Sequence, residues 1–311
     1  MAPLRIIFAG SGEFGLPTLG ALLEGGHEIV QVVSQPDRPA GRGRKLTPTA
    51  IAHLAIDRGL PLIRTDDING ESLPPADVMV VIAFGQKIGE RQVHHPRLGS
   101  VNLHASLLPK YRGAAPINWA IIDGERVTGN SVIRLASKMD AGAVLGQSRV
   151  EIGELETAGE LHDRLAVNGA PLVLRVVEAL ANGTAVEMPQ DDSQATLARK
   201  LSRESAAIDW TAPSVRIARR IRGLYPWPGC RVRIGDAAGA ELARATLVRA
   251  RAGRGEGSRW EPGEIMIDGL VAGGDGGVEI VEIQPEGKRP MPLAAYRNGH
   301  PWQPGMRLES I

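Results

Sequence analysis

The chain has one cysteine, Cys230, among its 311 residues. A single thiol excludes an internal disulfide framework and any metal cluster built on thiolates alone. No apolar run approaches the roughly 18 residues that cross a bilayer. The apolar start that carries Arg5 is broken by Glu13 before a signal-peptide core and cleavage site can develop. No internal repeat or low-complexity tract is found. Charge of one sign is lacking as well: the net charge is +1, with 43% hydrophobic and 23% charged residues. That balance excludes wholesale disorder and fibrous architectures. The expectation is a cytoplasmic, soluble monomer of two domains, because 311 residues exceed one minimal core.

The distribution of charge says more than its sum. Residues 1–205 carry 21 Lys and Arg against 23 Asp and Glu, and residues 206–311 carry 15 against 12. Within residues 216–259, 11 arginines face only Asp236, Glu241 and Glu256. A basic block in a neutral chain is either a footprint for a polyanion or a solvated arginine-rich surface.

The first half alternates short strands with helices. Leu4–Ala9, His27–Ser34, Leu60–Arg64, Val78–Phe84 and Gly99–Leu107 are apolar, β-branched runs. Leu16–Leu23, Pro48–Arg58 after a Thr47 cap, and Ala114–Ile122 have helical character. The pattern predicts a mostly parallel sheet covered on both faces, an α/β fold. Thr128–Ala136 and Ala143–Ile152 add two strands, and Ala158–Leu180 reads as a helix stopping at Asn182-Gly183. Residues 188–206 are polar and read as a linker between a domain at 1–187 and one at 207–311. After a short helix at Ile217–Leu224, candidate strands follow at Cys230–Ile234, Ala243–Arg249, Glu264–Ile267, Gly269–Ala272 and Val278–Gln284. Short strands with Gly and Pro turns suggest a small, OB-like β-barrel.

Gly10-Ser11-Gly12-Glu13-Phe14-Gly15 fits G-x-G-x-x-G between a strand and a helix, with Asp37 near the end of the second strand. That is the context of a dinucleotide fingerprint. A tight strand–helix crossing needs glycines for steric reasons too, and Glu13 puts negative charge where a pyrophosphate would sit.

Residues 99–124, GSVNLHASLLPKYRGAAPINWAIIDG, carry more chemistry. Strand period places Asn102 and His104 on one face near the C-terminal end of a parallel strand, where ligands of open α/β sheets gather. An amide and an imidazole together can stabilise an oxyanion. Asp140, in Lys138-Met139-Asp140-Ala141-Gly142, supplies a proton acceptor from a separate turn. No serine elbow or reactive cysteine accompanies them, so no covalent enzyme adduct is indicated. Metal ligation is poorly supported, since His104 and Asp140 are only two ligands and the adjacent His94 and His95 point apart.

At these positions the sequence resembles the folate-dependent formyltransferases. The shared pieces are N-x-H-x-S-L-L-P-x-Y-R-G-A-A-P at 102–116, M-D-A-G at 139–142 and Q-P-D-R-P-A-G-R-G-R-K at 35–45. A-F-G-Q at 83–86, S-R-E-S-A-A-I-D-W at 202–210, P-W-P-G at 226–229 and Q-P-E-G-K-R-P-M at 284–291 also match. The resemblance runs from about Leu4 to Leu308 and is nearest to the branch whose acceptor is initiator methionyl-tRNA. It implies a Rossmann-like formyl-transfer domain, a linker and a C-terminal barrel that helps bind tRNA. The formyl donor it implies is 10-formyltetrahydrofolate, with no nicotinamide and no metal.

The resemblance assigns the catalytic trio to Asn102, His104 and Asp140. It places folate along Ser106, Leu107, Leu108 and Pro109 and beside Ala83, Phe84, Gly85 and Gln86. The loop residues Arg38, Arg42, Arg44 and Lys45 are expected at the tRNA acceptor end, with Arg216, Arg219 and Arg220 on phosphates elsewhere. Two other functions remain open: formyl transfer to a sugar-nucleotide amine, and a non-catalytic RNA-binding role that would leave the trio unexplained.

Overall fold

The computed structural model describes residues 3–40, 43, 45–253 and 259–311. The chain divides into two compact units that interleave in sequence. One gathers Met1–Gly113, Gly129–Val150 and His162–Leu197, and the other Ala114–Thr128, Glu151–Leu161 and Ala198–Ile311.

The first unit is built on seven strands: β1 (Arg5–Gly10), β2 (Glu28–Ser34), β3 (Leu62–Arg64), β4 (Val78–Ile82), β5 (Ser100–His104), β6 (Val127–Arg134) and β7 (Val144–Glu151). Their order is β7-β6-β5-β4-β1-β2-β3. β1 pairs in parallel with β2 and β4, β2 with β3, and β4 with β5, whereas β6 runs antiparallel to β5. Every residue of β4 is buried, as a parallel strand covered on both faces demands. From the centre the chain winds outward in opposite directions, so the turns after β1 and β4 meet at a topological switch point. Gly12 N–H reaches the Ala83 carbonyl at 3.4 Å there.

Helix α1 (Leu16–Glu24) follows β1 and carries Pro17 in its first turn, where a missing N–H costs nothing. Gly10 and Gly15 have steric duties at this crossing. A Cβ on Gly10 would lie 2.9 Å from the Ile82 carbonyl oxygen, and one on Gly15 would lie 3.2 Å from Ile51. Helix α2 (Ala50–Asp57) starts two residues later than the expected Thr47 cap. Thr49 is the cap, its hydroxyl accepting from Ala52 N–H at 3.1 Å. Thr47 instead closes a hairpin of Arg38–Ala40 against Lys45–Thr47.

The long helix α4 (Ala158–Ala181) opens on a capping box: Glu160 accepts from Thr157 N–H at 2.9 Å, and Thr157 Oγ1 accepts from Glu160 N–H at 3.4 Å. It ends as expected before Gly183, whose φ of +68° only glycine adopts cheaply. A shorter helix, α3 (Pro116–Asp123), precedes it in the chain.

The second unit holds a barrel of β8 (Cys230–Gly235), β9 (Glu241–Gly253), β10 (Val271–Ala272), β11 (Gly277–Pro285) and β12 (Arg307–Ser310). The order is β10-β11-β9-β8-β12, with antiparallel neighbours. Single bridges from Glu264 to Arg307 and from Ile265 to Val271 nearly close the ring. The expected strand at Glu264–Ile267 therefore survives only as these bridges. β12 gave no sequence signal, because RLES offers one apolar residue. Alternation is clean in β8, where Cys230, Val232 and Ile234 point inward and Arg231 and Arg233 outward. Helix α5 (Ser214–Gly223) buries Ile217, Ala218 and Ile221 in the core with Leu247, Ile280, Ile283 and Tyr296.

Candidate active site

β5 presents Asn102 and His104 on one face, and Leu103 points the other way, toward Gly169 of α4. His104 is buried at 7% exposure and Asn102 half-buried. The turn after β5 is pinned by Ser131, whose hydroxyl donates to the Ser106 carbonyl at 2.7 Å and accepts from Leu108 N–H at 3.0 Å. Ser106 Oγ donates to the Lys110 carbonyl at 2.6 Å. This brings Tyr111 back over the strand end with a φ of +62°.

The Tyr111 carbonyl lies 2.8 Å from His104 Nε2. A carbonyl oxygen only accepts, so Nε2 carries a hydrogen and Nδ1 faces the site. Asp140 Oδ2 is 3.7 Å from that Nδ1, beyond direct hydrogen-bond range and within electrostatic reach. The same Oδ2 accepts from Gly113 N–H at 2.8 Å. Residues 111–113 thus hold the imidazole by a carbonyl and the carboxylate by an amide.

Asp140 sits at φ +53°, an uncommon and strained conformation for a residue with a Cβ. The turn is tight: a Cβ on Gly142 would lie 1.8 Å from the Arg134 carbonyl oxygen. The amide of Asn102 makes no hydrogen bond among the described residues. A half-buried amide with unspent donors beside an imidazole and a carboxylate can stabilise developing negative charge and accept a proton.

The residues expected to line folate divide into two groups. Ala83 and Gly85 are exposed, and Leu107 and Pro109 half-buried, which leaves an accessible lip. Phe84, Ser106 and Leu108 are internal. The Phe84 ring belongs to the core and its carbonyl accepts from Gln35 Nε2 at 2.8 Å. Leu108 packs on Ile133 and Val144. Gln86 spends its amide on Ile68 N–H at 2.9 Å and on the Thr65 carbonyl at 2.6 Å. The side chains of these four are engaged inside the first unit. Among the described residues no three His, Cys, Asp or Glu group to hold a metal ion, and no helix is long and apolar enough to cross a membrane.

The arginines expected on tRNA also separate. Arg38 and Lys45 are exposed on the hairpin, and Arg42 and Arg44 lie outside the described residues. Arg216 is exposed on α5, without a partner among the described residues. Arg219 lines a cleft of about 730 Å³ within the second unit, together with Arg126, Arg222 and Arg251. Burial, and after it the neighbouring Arg219 and Arg249, push the Arg222 pKa down. Arg220 is engaged within its own unit, its guanidinium donating to the Ala207 and Ser205 carbonyls.

Much of the basic block is likewise neutralised on the barrel. Arg231 pairs with Glu286, Arg233 with Glu309, Arg249 with Glu160 and Glu282, and Arg251 with Glu279. All these acids lie outside residues 216–259, so a window of sequence cannot see them.

The sequence reading missed Gln190. The stretch read as a linker enters this unit's architecture: Met188 bridges Val144, and Thr196 accepts from Arg112 N–H at 2.9 Å.

Comparison with known proteins shows the family. A formyl transferase family model matches residues 4–177, and the model of the formyl transferase C-terminal domain matches residues 200–301. The methionyl-tRNA formyltransferase of Acidobacterium capsulatum is 40% identical, covering 98% of this chain and 99% of its own length. That of Geobacter sulfurreducens is also 40% identical, over 99% and 98%. Among solved structures, an N-formyltransferase from Helicobacter canadensis in complex with folinic acid and dTDP-3-aminofucose superposes with a TM-score of 0.65. It is 16% identical and covers 91% of this chain and 99% of its own. HypX from Aquifex aeolicus in complex with tetrahydrofolic acid gives 0.61 at 17% identity, over 95% and 47%. The solved structures establish the fold, and the sequence relatives establish the family. The chain belongs to the formyl transferases.

Proposed function

We propose that this protein transfers the formyl group of 10-formyltetrahydrofolate to the α-amine of methionyl-tRNA, with Asn102, His104 and Asp140 at the reacting atoms. The observation that carries the chemistry is the Asn102 amide, without a hydrogen bond among the described residues, beside an imidazole whose Nδ1 faces a carboxylate. Support for the acceptor comes from the near-complete overlap with relatives at 40% identity that are named for methionyl-tRNA. The fold alone does not choose, because an enzyme solved with a sugar-nucleotide amine shares it.

The donor is a co-substrate, and the site suits it: Leu107 and Pro109 offer an apolar lip in the turn after β5, and Asn102 on β5 an amide unspent among the described residues. As the neutral amine adds to the formyl carbon, the former carbonyl oxygen gains negative charge. Asn102 donates to it through Nδ2. His104 donates through Nδ1 only when both ring nitrogens carry hydrogens, because Nε2–H is already given to Tyr111. The Asp140 carboxylate receives the proton the amine loses. When the carbon–nitrogen bond of the donor breaks, its nitrogen keeps the electron pair and takes a proton. No bond to the enzyme forms at any stage. A location in the compartment where tRNA is charged and used follows from this acceptor.

The test offers purified protein both methionyl-tRNA and a sugar-nucleotide amine in the presence of 10-formyltetrahydrofolate, and identifies the products. Formyl-methionyl-tRNA alone is expected. Formylation of the sugar amine in preference would replace the acceptor, and no transfer to either would remove the catalytic reading.

A further inference from the structure

The geometry points to Gln190 as a positioning residue for Asp140, acting on the turn that carries the carboxylate. Its side-chain Nε2 donates to the Asp140 carbonyl at 2.7 Å and to the Gly142 carbonyl at 2.8 Å. Its Oε1 accepts from Arg112 Nε at 3.0 Å and Nη2 at 2.8 Å. Every hydrogen-bonding direction of the amide nitrogen is therefore spent on the turn, and its oxygen is held by a guanidinium.

These contacts form a closed circuit. Arg112 precedes Gly113, whose N–H holds the Asp140 carboxylate. The Arg112 guanidinium grips Gln190, and Gln190 holds the Asp140 backbone. Asp140 is thereby fixed at both ends, side chain through Gly113 and main chain through Gln190. Arg112 is 4% exposed and also donates to Asp192 Oδ1 at 2.7 Å, while Lys138 Nζ reaches Asp192 Oδ2 at 2.7 Å. The charged groups around Gln190 are thus Arg112, Asp192 and Lys138, with His104 and Asp140 beyond the turn.

Restraint is needed here for a physical reason. A non-glycine residue at φ +53° is of the strained kind that persists only when its surroundings over-determine it. Gln190 ties down the two carbonyls that flank Ala141, and so fixes the direction of the carboxylate toward His104. A misplacement of about 1 Å in such a group costs on the order of a hundredfold in rate.

Gln190→Glu separates this role from packing. The carboxylate keeps the length and can still pair with Arg112, yet it has no hydrogen to give the Asp140 and Gly142 carbonyls. The proposal rests on the formyl-transfer reading for its kinetic arm and is independent of it for a structural arm. In the kinetic arm, kcat per folate-binding site falls about tenfold or more while KM for methionyl-tRNA stays within about twofold. In an Asp140→Asn background the same change costs little further, because it acts through that carboxylate. In the structural arm, a crystal structure of the variant shows the separation of Asp140 Oδ2 from His104 Nδ1 lengthened from 3.7 Å by about 1 Å or more. Wild-type transfer in the kinetic arm tests the functional reading by itself. An Asp140 carboxylate in its wild-type place beside His104, or an undiminished kcat per site, overturns the role of Gln190 whatever the melting temperature does.

Discussion

The imidazole of His104 has one nitrogen committed to the Tyr111 carbonyl, so its chemistry runs through Nδ1 and the carboxylate 3.7 Å away. Asp140→Asn keeps the shape of the pair and removes the proton acceptor. Turnover is expected to drop by about two to four orders of magnitude, the usual range for a lost general base. Turnover within about threefold of wild type would show that the proton leaves by another route. Cys230 is no competing nucleophile: burial pushes its thiol up to about 12, so it is protonated at neutral pH and inert.

At the scale of elements, two tight places make direct predictions. Gly142→Ala drives a methyl into the Arg134 carbonyl, 1.8 Å from an ideal Cβ. It should destabilise the protein by about 1–3 kcal/mol, read as a lower thermal midpoint, and slow transfer by displacing Asp140. The start of α4 contains a second device. Glu160 donates no proton at neutral pH; a hydrogen bond from Arg249 above all, with Thr157 assisting, lowers its pKa to about 2 from 4.5. A depressed folded value means the stabilisation is complete above about pH 4.5 and fades as pH falls toward 2. Melting midpoints taken across that window should fall in wild type and fall less in Glu160→Gln. Parallel curves would show that the pair contributes nothing.

The elements also show where sequence was legible. Strands of unbroken apolar character and helices with caps and glycine stops were readable because burial and local hydrogen bonding are written in the nearest few residues. Asn102 and His104 were readable for the same reason, as strand period alone puts them side by side. Asp140 was readable as an acid in a turn between two strands, but a turn residue has no periodicity to place it beside His104, and the family resemblance supplied that pairing. Gln190 gave no signal at all: its partners lie 50 and 48 residues away and are main-chain carbonyls, which no sequence pattern marks. β12 was lost to brevity.

For the whole molecule the question is how the basic surface meets RNA. Counting arginines in a window overstated it, since Glu160, Glu279, Glu282, Glu286 and Glu309 return from elsewhere to neutralise the barrel face. Among the described residues, Arg38, Lys45, Arg216 and Arg219 are the expected phosphate contacts that these pairings leave uncommitted to a carboxylate. These four contribute about −3 to the slope of log affinity against log salt, at roughly 0.7 per phosphate. Arg216→Ala should reduce that slope by about 1, whereas Arg220→Ala should leave it unchanged and lower the thermal midpoint instead. A flat salt response in wild type would contradict a tRNA partner.

The reading as a whole stands on the unspent amide of Asn102 acting where charge develops. Single-turnover formyl transfer to methionyl-tRNA, measured at saturating donor for wild type and Asn102→Ala, tests this most directly. The rate constant should fall by about a hundred- to a thousandfold, with tRNA affinity within about twofold. A variant that transfers formyl at the wild-type rate would show that the oxyanion is stabilised by something else.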